Sequence, residues 1–110
     1  MKTTGLTERE RTELKALAQR LRDEMGALEV RVFGSAVRGE MDDESDIDLF
    51  VVLPLGDREM RDRVTDLCFE TSLEVDRLVA PFIATPAGLE LPRMKGSPLM
   101  KALRKEGLPI

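Results

Sequence analysis

Leu14, Leu17, Ala18, Leu21 and Met25 recur at intervals of three and four residues, the spacing that lines one face of a helix. Ahead of them, Thr7-Glu-Arg-Glu10 has the form of a capping box, in which Thr7 accepts from a free amide and Glu10 reaches back. Gly26 supplies the stop. The period then changes. LEVRVF alternates, with Val30 and Val32 on one face, and predicts a short strand broken by Gly34-Ser35. Ser35 to Arg38 is long enough for one helical turn closed by Gly39, and Glu40 to Glu44 reads as a polar loop. A second strand is predicted over Asp46 to Leu53, where the apolar run Leu49 to Leu53 implies burial on both faces. Pro54 and Gly56 close it.

Asp57 can cap a second long helix, with Met60, Val64, Leu67 and Cys68 as its apolar stripe. A third strand is expected between Leu73 and Ile83, centred on VDRLVA. Pro81, Pro86, Gly88 and Pro92 make the next stretch irregular, with a short helix around Ala87 to Leu91. Ser97-Pro98 pairs a cap with proline at the first helical position. Leu99, Ala102 and Leu103 then face inward, and Gly107 ends the helix. The order αβαβαβα predicts one domain over residues 1–110, of α/β (α+β) class, with a small mixed sheet flanked by helices.

Composition narrows the chemistry. The chain has no histidine and one cysteine, Cys68. Ser-His and Cys-His triads, histidine metal sites and histidine general bases are therefore excluded together. Cys68 is expected to serve as a small apolar helix residue. No apolar run approaches the length of a membrane span, and MKTTGLTERER has no signal-like apolar region, so a cytoplasmic location is expected. A net charge of −4 argues against general nucleic-acid binding, although Arg93, Lys95, Lys101, Arg104 and Lys105 make the C-terminal segment basic.

The chemistry concentrates in VFGSAVRGEMDDESDIDLFVVL. It places six acids within the nine residues Glu40 to Asp48 and then runs into apolar strand. Residues two apart on a strand share a face, so Asp46 and Asp48 project together. Like charges this close repel unless a cation lies between them, and an all-oxygen donor set suits a hard ion such as Mg²⁺. Upstream, Gly34 lets the backbone turn sharply and approach a ligand, and the amides of the following turn can face phosphate. Ser35 adds a hydroxyl and Arg38 a fork of donors. A Gly-Ser turn by itself is more often an ordinary turn, whereas a solvent-facing acidic pair at a strand edge would explain the acids but not their placement before a doubly apolar strand.

Gly34-Ser35 followed after ten residues by Asp46-Ile47-Asp48 resembles the signature of the polymerase β-like nucleotidyltransferase superfamily. GSAVRGEMDDESDIDLFV looks most like its minimal nucleotidyltransferase (MNT) group, small domains often encoded beside a HEPN-domain partner, some acting as antitoxins. SLEVDRLVAPFIAT and SPLMKALRKEGLPI extend the likeness over most of the chain. The resemblance implies that Gly34 and Ser35 hold the triphosphate of ATP, with Arg38 touching phosphate. It implies that Asp46 and Asp48 ligate Mg²⁺, two ions in all. It also implies a third carboxylate on a neighbouring strand, for which Asp76 is the candidate and Glu74 the alternative. Arg77 is a departure, since an apolar strand residue would be more typical there. A surface Asp76 paired with Arg77 is the competing interpretation.

Three functions follow from the resemblance. The first is transfer of a nucleoside monophosphate, AMP from ATP, to a hydroxyl on a partner protein, as in the antitoxin of a HEPN/MNT toxin–antitoxin pair. The second is a binding module that inhibits its partner by contact, with catalysis weak or lost. The third, an RNA-end nucleotidyltransferase, is disfavoured by the acidic chain and the lack of room for a large substrate domain. The expected partner is a HEPN-domain protein or another protein acceptor. Homo-oligomers are compatible with the sequence, and a membrane role is not expected.

Overall fold

The computed structural model describes residues 5–39 and 45–110. The acidic segment predicted as a polar loop, Glu40 to Glu44, lies outside the described residues.

Helix α1 (Glu8–Met25) begins and ends as its sequence dictates. The Thr7 hydroxyl accepts from the Glu10 amide at 3.0 Å, and Glu10 Oε1 accepts from the Thr7 amide at 2.8 Å. A cap of this kind stabilises by about 1 kcal/mol. Gly26 closes the helix in the left-handed conformation, φ 67°. Leu14, Leu17, Ala18, Leu21 and Met25 are all buried.

Strand β1 (Glu29–Phe33) leads through Gly34 into the single turn α2 (Ser35–Arg38), and β2 (Ile47–Val52) follows. Helix α3 (Arg58–Val75) is capped by Asp57, whose carboxylate accepts from the Met60 amide at 3.1 Å. Strand β3 (Val79–Ala84) precedes two short turns of helix, α4 (Pro86–Leu89) and α5 (Pro92–Lys95). Then come α6 (Pro98–Glu106), capped by Ser97, and the two-residue strand β4 (Leu108–Pro109). The predicted order αβαβαβα holds through the core elements, with α5 and β4 as additions.

The sheet is mixed, with strand order β3-β2-β1-β4. β1 runs antiparallel to β2 and to β4, and β2 runs parallel to β3. Alternation splits it into two faces. Val30, Val32, Ile47, Leu49, Val51 and Val79 pack under α1 and α3 in one cluster. On the other face Phe50, Val52 and Ala84 pack with Leu103, Leu99 and Met100 of α6. Phe50 also stacks on Phe82 of β3, ring centres 6.2 Å apart. The apolar run after Asp48 is explained by these two coverings: a strand packed on both sides cannot alternate. Cys68 is buried on α3, and burial pushes its thiol up to about 12, so it behaves as a small apolar residue.

The third strand starts later than the sequence pattern suggests. Leu73 to Val75 belong to α3, because the helical spacing of the buried Val64, Leu67, Cys68 and Thr71 continues to Val75, which packs partly buried against the same cluster. Ser72 makes the junction: its hydroxyl donates to the Cys68 carbonyl at 2.8 Å and accepts from the Val79 amide at 2.8 Å.

Candidate nucleotide and metal site

The site is assembled where β1 ends and β2 begins. Phe33 and Asp48 are register partners, so the turn after Phe33 lies against the Asp48 side chain. Gly34 sits at φ 80°, ψ −151°, a conformation that side-chain-bearing residues rarely adopt. A Cβ on Gly34 would stand 2.5 Å from Asp48 Oδ2. Two separate constraints thus require glycine: the turn and the carboxylate beside it.

The turn is fixed from below. Ala36 and Val37 are buried, the Gly34 carbonyl accepts from Val37 and Arg38 amides at 3.1 and 3.2 Å, and the Gly5 amide donates to the Ala36 carbonyl at 2.7 Å. Ser35 opens α2 directly after Gly34, and Arg38 ends it. Arg38 reaches α6, donating to Glu106 Oε1 at 2.8 Å.

Asp46 is exposed at the mouth of β2, while Asp48 is half-buried. Burial pushes the Asp48 carboxyl above the ordinary aspartate value; the neighbouring Asp46 charge pushes it further, and the Arg38 guanidinium opposes both. Asp48 therefore senses the charges of both Asp46 and Arg38. The paired carboxylates, together with backbone that approaches one of them as closely as only glycine allows, fit a hard divalent cation with phosphate oxygens completing its shell.

Asp76 is not on a strand. It is the C-cap of α3 in the left-handed conformation, φ 54°, and it is exposed. Aspartate tolerates that conformation better than most residues, which is why the chain can turn here. Glu74 lies within α3, where Arg9 of α1 donates to its backbone carbonyl at 3.1 Å and approaches its carboxylate at 3.5 Å. Strand β3 begins at Val79, and the residue registered opposite Asp48 is Ala80. Among the described residues no three acids or cysteines gather in a way that could hold a metal ion. Among the described residues, Asp46 and Asp48 stand at the start of β2, while Asp76, the third acid of the expected triad, caps α3. Arg77 does not pair with Asp76 in any described contact; it bonds to Glu10 of α1 and to the Ser45 carbonyl.

A hollow of about 180 Å³ lies between α1 and the C-terminal strand, lined by Leu6, Leu14, Leu108 and Ile110 among others, and contains none of these site residues.

A four-stranded mixed sheet between helices, with a Gly-Ser turn laid against an Asp-x-Asp strand, defines a polymerase β-like nucleotidyltransferase fold. The nucleotidyltransferase domain model matches residues 14–102, and the chain belongs to that family, in its minimal nucleotidyltransferase group. A solved structure provisionally described as a minimal nucleotidyltransferase is 30% identical, with 91% of each chain covered and a TM-score of 0.60. A toxin–antitoxin crystal structure with AMP-PNP is 20% identical at TM-score 0.59, covering 89% of this chain and 69% of that one. A tri-AMPylated Shewanella oneidensis HEPN toxin in complex with MNT antitoxin is 17% identical at TM-score 0.55, covering 91% of this chain and 70% of that one. No curated protein matches.

Proposed function

We propose that the chain is a metal-dependent nucleotidyltransferase that moves AMP from ATP to a hydroxyl on a partner protein, as an antitoxin facing a HEPN-domain toxin in the cytoplasm. The observation that carries the reading is the contact of Gly34 with Asp48, beside Asp46. It supports the reading because a backbone turn and two carboxylates meet at the start of β2, where a metal-bound phosphate would need them.

In this reading Asp46 and Asp48 would hold Mg²⁺, which would neutralise charge on the leaving pyrophosphate. Gly34 and Ser35 present backbone and hydroxyl to the phosphates. Arg38 turns toward the same phosphates at the expense of its bond to Glu106. One of the two carboxylates orients the acceptor hydroxyl. Two ions are the expectation from the family, with Asp76 as the third carboxylate that the resemblance implies. Structural neighbours with AMP-PNP and with an AMPylated HEPN toxin support ATP as donor and a protein as acceptor. Phe69 and Leu73, one turn apart on α3, expose apolar surface that a protein partner could cover.

The test is incubation of the co-encoded partner with labelled ATP and Mg²⁺, followed by mass spectrometry. An added AMP that disappears with Asp46→Asn supports transfer. Partner inhibition that persists with Asp46→Asn, with no added mass for wild type, supports the second reading, a contact inhibitor. A specific observation favours that alternative: β3 offers Ala80 opposite Asp48, and Asp76, the candidate third carboxylate, caps α3 instead of lying on that strand.

A further inference from the structure

Asp46 is exposed, yet the backbone on both sides of it is held. The Ser45 carbonyl accepts from Arg77 Nη1, and the Ile47 amide donates to the Leu78 carbonyl at 2.8 Å. Two consecutive residues of the α3–β3 junction thus grip the two peptides that flank Asp46. Arg77 is itself anchored. Its side chain is only 17% exposed, and its Nε donates to Glu10 Oε2 at 3.0 Å. The Glu10 side chain is 8% exposed and its other oxygen caps α1 through the Thr7 amide. The Arg77 amide donates to the Ser72 carbonyl at 3.2 Å, tying the same residue to the end of α3.

Resting on the metal–nucleotide reading of Asp46 and Asp48, we propose that Arg77 is a positioning residue: braced by Glu10, it fixes the Ser45 carbonyl and so sets the Asp46 carboxylate on the cation. A planar fork is required, because one arm faces the carboxylate and another the carbonyl; a lysine ammonium reaches one of them at a time. Outer partners of this type change metal affinity by roughly tenfold or more when removed.

The experiment is a calorimetric titration of Mg²⁺ into protein with ATP, well below the melting temperature, on wild type, Arg77→Met, Arg77→Lys and Glu10→Gln. Melting temperatures without metal are recorded in parallel. Arg77→Met is expected to weaken Mg²⁺ by roughly tenfold or more, and Arg77→Lys by less. Glu10→Gln keeps an oxygen for the Thr7 amide; it is expected to lower the melting temperature while weakening Mg²⁺ less than Arg77→Met does. If Arg77→Met does not fold, Arg77→Lys carries the comparison. Mg²⁺ binding by a folded Arg77 variant equal to wild type overturns the proposal and leaves the metal site standing. Equal weakening by Glu10→Gln and Arg77→Met at matched loss of stability also overturns it, since general loosening would then explain both. Absence of Mg²⁺-dependent ATP binding in wild type overturns the site and this role together.

Discussion

Gly34 and Asp48 compete for one space: a Cβ on the glycine would stand 2.5 Å from a carboxylate oxygen of the aspartate. Gly34→Ala therefore incurs two costs. The backbone at φ 80°, ψ −151° becomes strained by about 1–3 kcal/mol. Asp48 must also move. Denaturant melts should show the loss, and the rise in melting temperature with Mg²⁺ and ATP should vanish. Gly96→Ala is the control: its φ is −93° and the nearest contact is 3.9 Å away, so little change is expected. Equal behaviour of the two variants would remove Gly34 from the site.

Asp48 makes a second prediction, about pH. Its carboxyl is raised by burial, then by Asp46. For an acid raised in the folded state, the favourable contribution is complete below the unfolded value. It is lost as pH rises through the folded value, because the fold disfavours the charge. At neutral pH without metal, Asp48→Asn should thus be at least as stable as wild type. The difference should shrink on acidification toward the ordinary aspartate range. A clear loss of stability at pH 7 would mean that the carboxylate is held by structural hydrogen bonds.

The same pair predicts a ligand effect of opposite sign. Mg²⁺ with ATP binds only the folded state and should raise the melting temperature of wild type, by about 2.7 kcal/mol of stabilisation at a hundredfold excess over Kd. Asp46→Asn combined with Asp48→Asn should abolish the shift while sparing the apo protein. Differential scanning fluorimetry with and without each ligand separates the two. An undiminished shift in the double variant would place the binding elsewhere.

Local signals were strong where local chemistry decides the outcome. Thr7 and Glu10, Asp57, Ser97-Pro98 and Gly26 each cap or stop a helix through bonds made within a few residues, and each lies where the pattern put it. The pairing of Gly34 with Asp48 was legible because its two halves sit at the ends of neighbouring strands. The end of α3 was not. Leu73-Glu-Val75 carries apolar residues that suit a strand, yet it closes α3, a helix packed against α1 and β3. That added turn takes Glu74 and Asp76 out of the sheet. Arg77 was visible as an anomaly, but its partners, Glu10 and the Ser45 carbonyl, are 67 and 32 residues away in sequence. No local rule finds a contact at that separation.

The position opposite Asp48 offers the sharpest division between transfer and contact inhibition. Ala80 and Asp48 are register partners on parallel strands, so their side chains leave the sheet on one face. Ala80→Asp would put a third carboxylate beside the pair, giving a second cation oxygen donors that the described residues of wild type do not gather. Without metal, the added like charge should lower the melting temperature and push the Asp48 carboxyl further up. With Mg²⁺ or Mn²⁺ the order should reverse, and the metal-dependent shift should exceed that of wild type. The consequence for chemistry depends on which reading holds. If wild type lacks a third ligand, Ala80→Asp should raise AMP transfer to the partner, measured by mass spectrometry. If wild type already transfers AMP efficiently and Ala80→Asp lowers the rate, the site is complete with Asp46 and Asp48. Ala80 would then leave room for the acceptor hydroxyl.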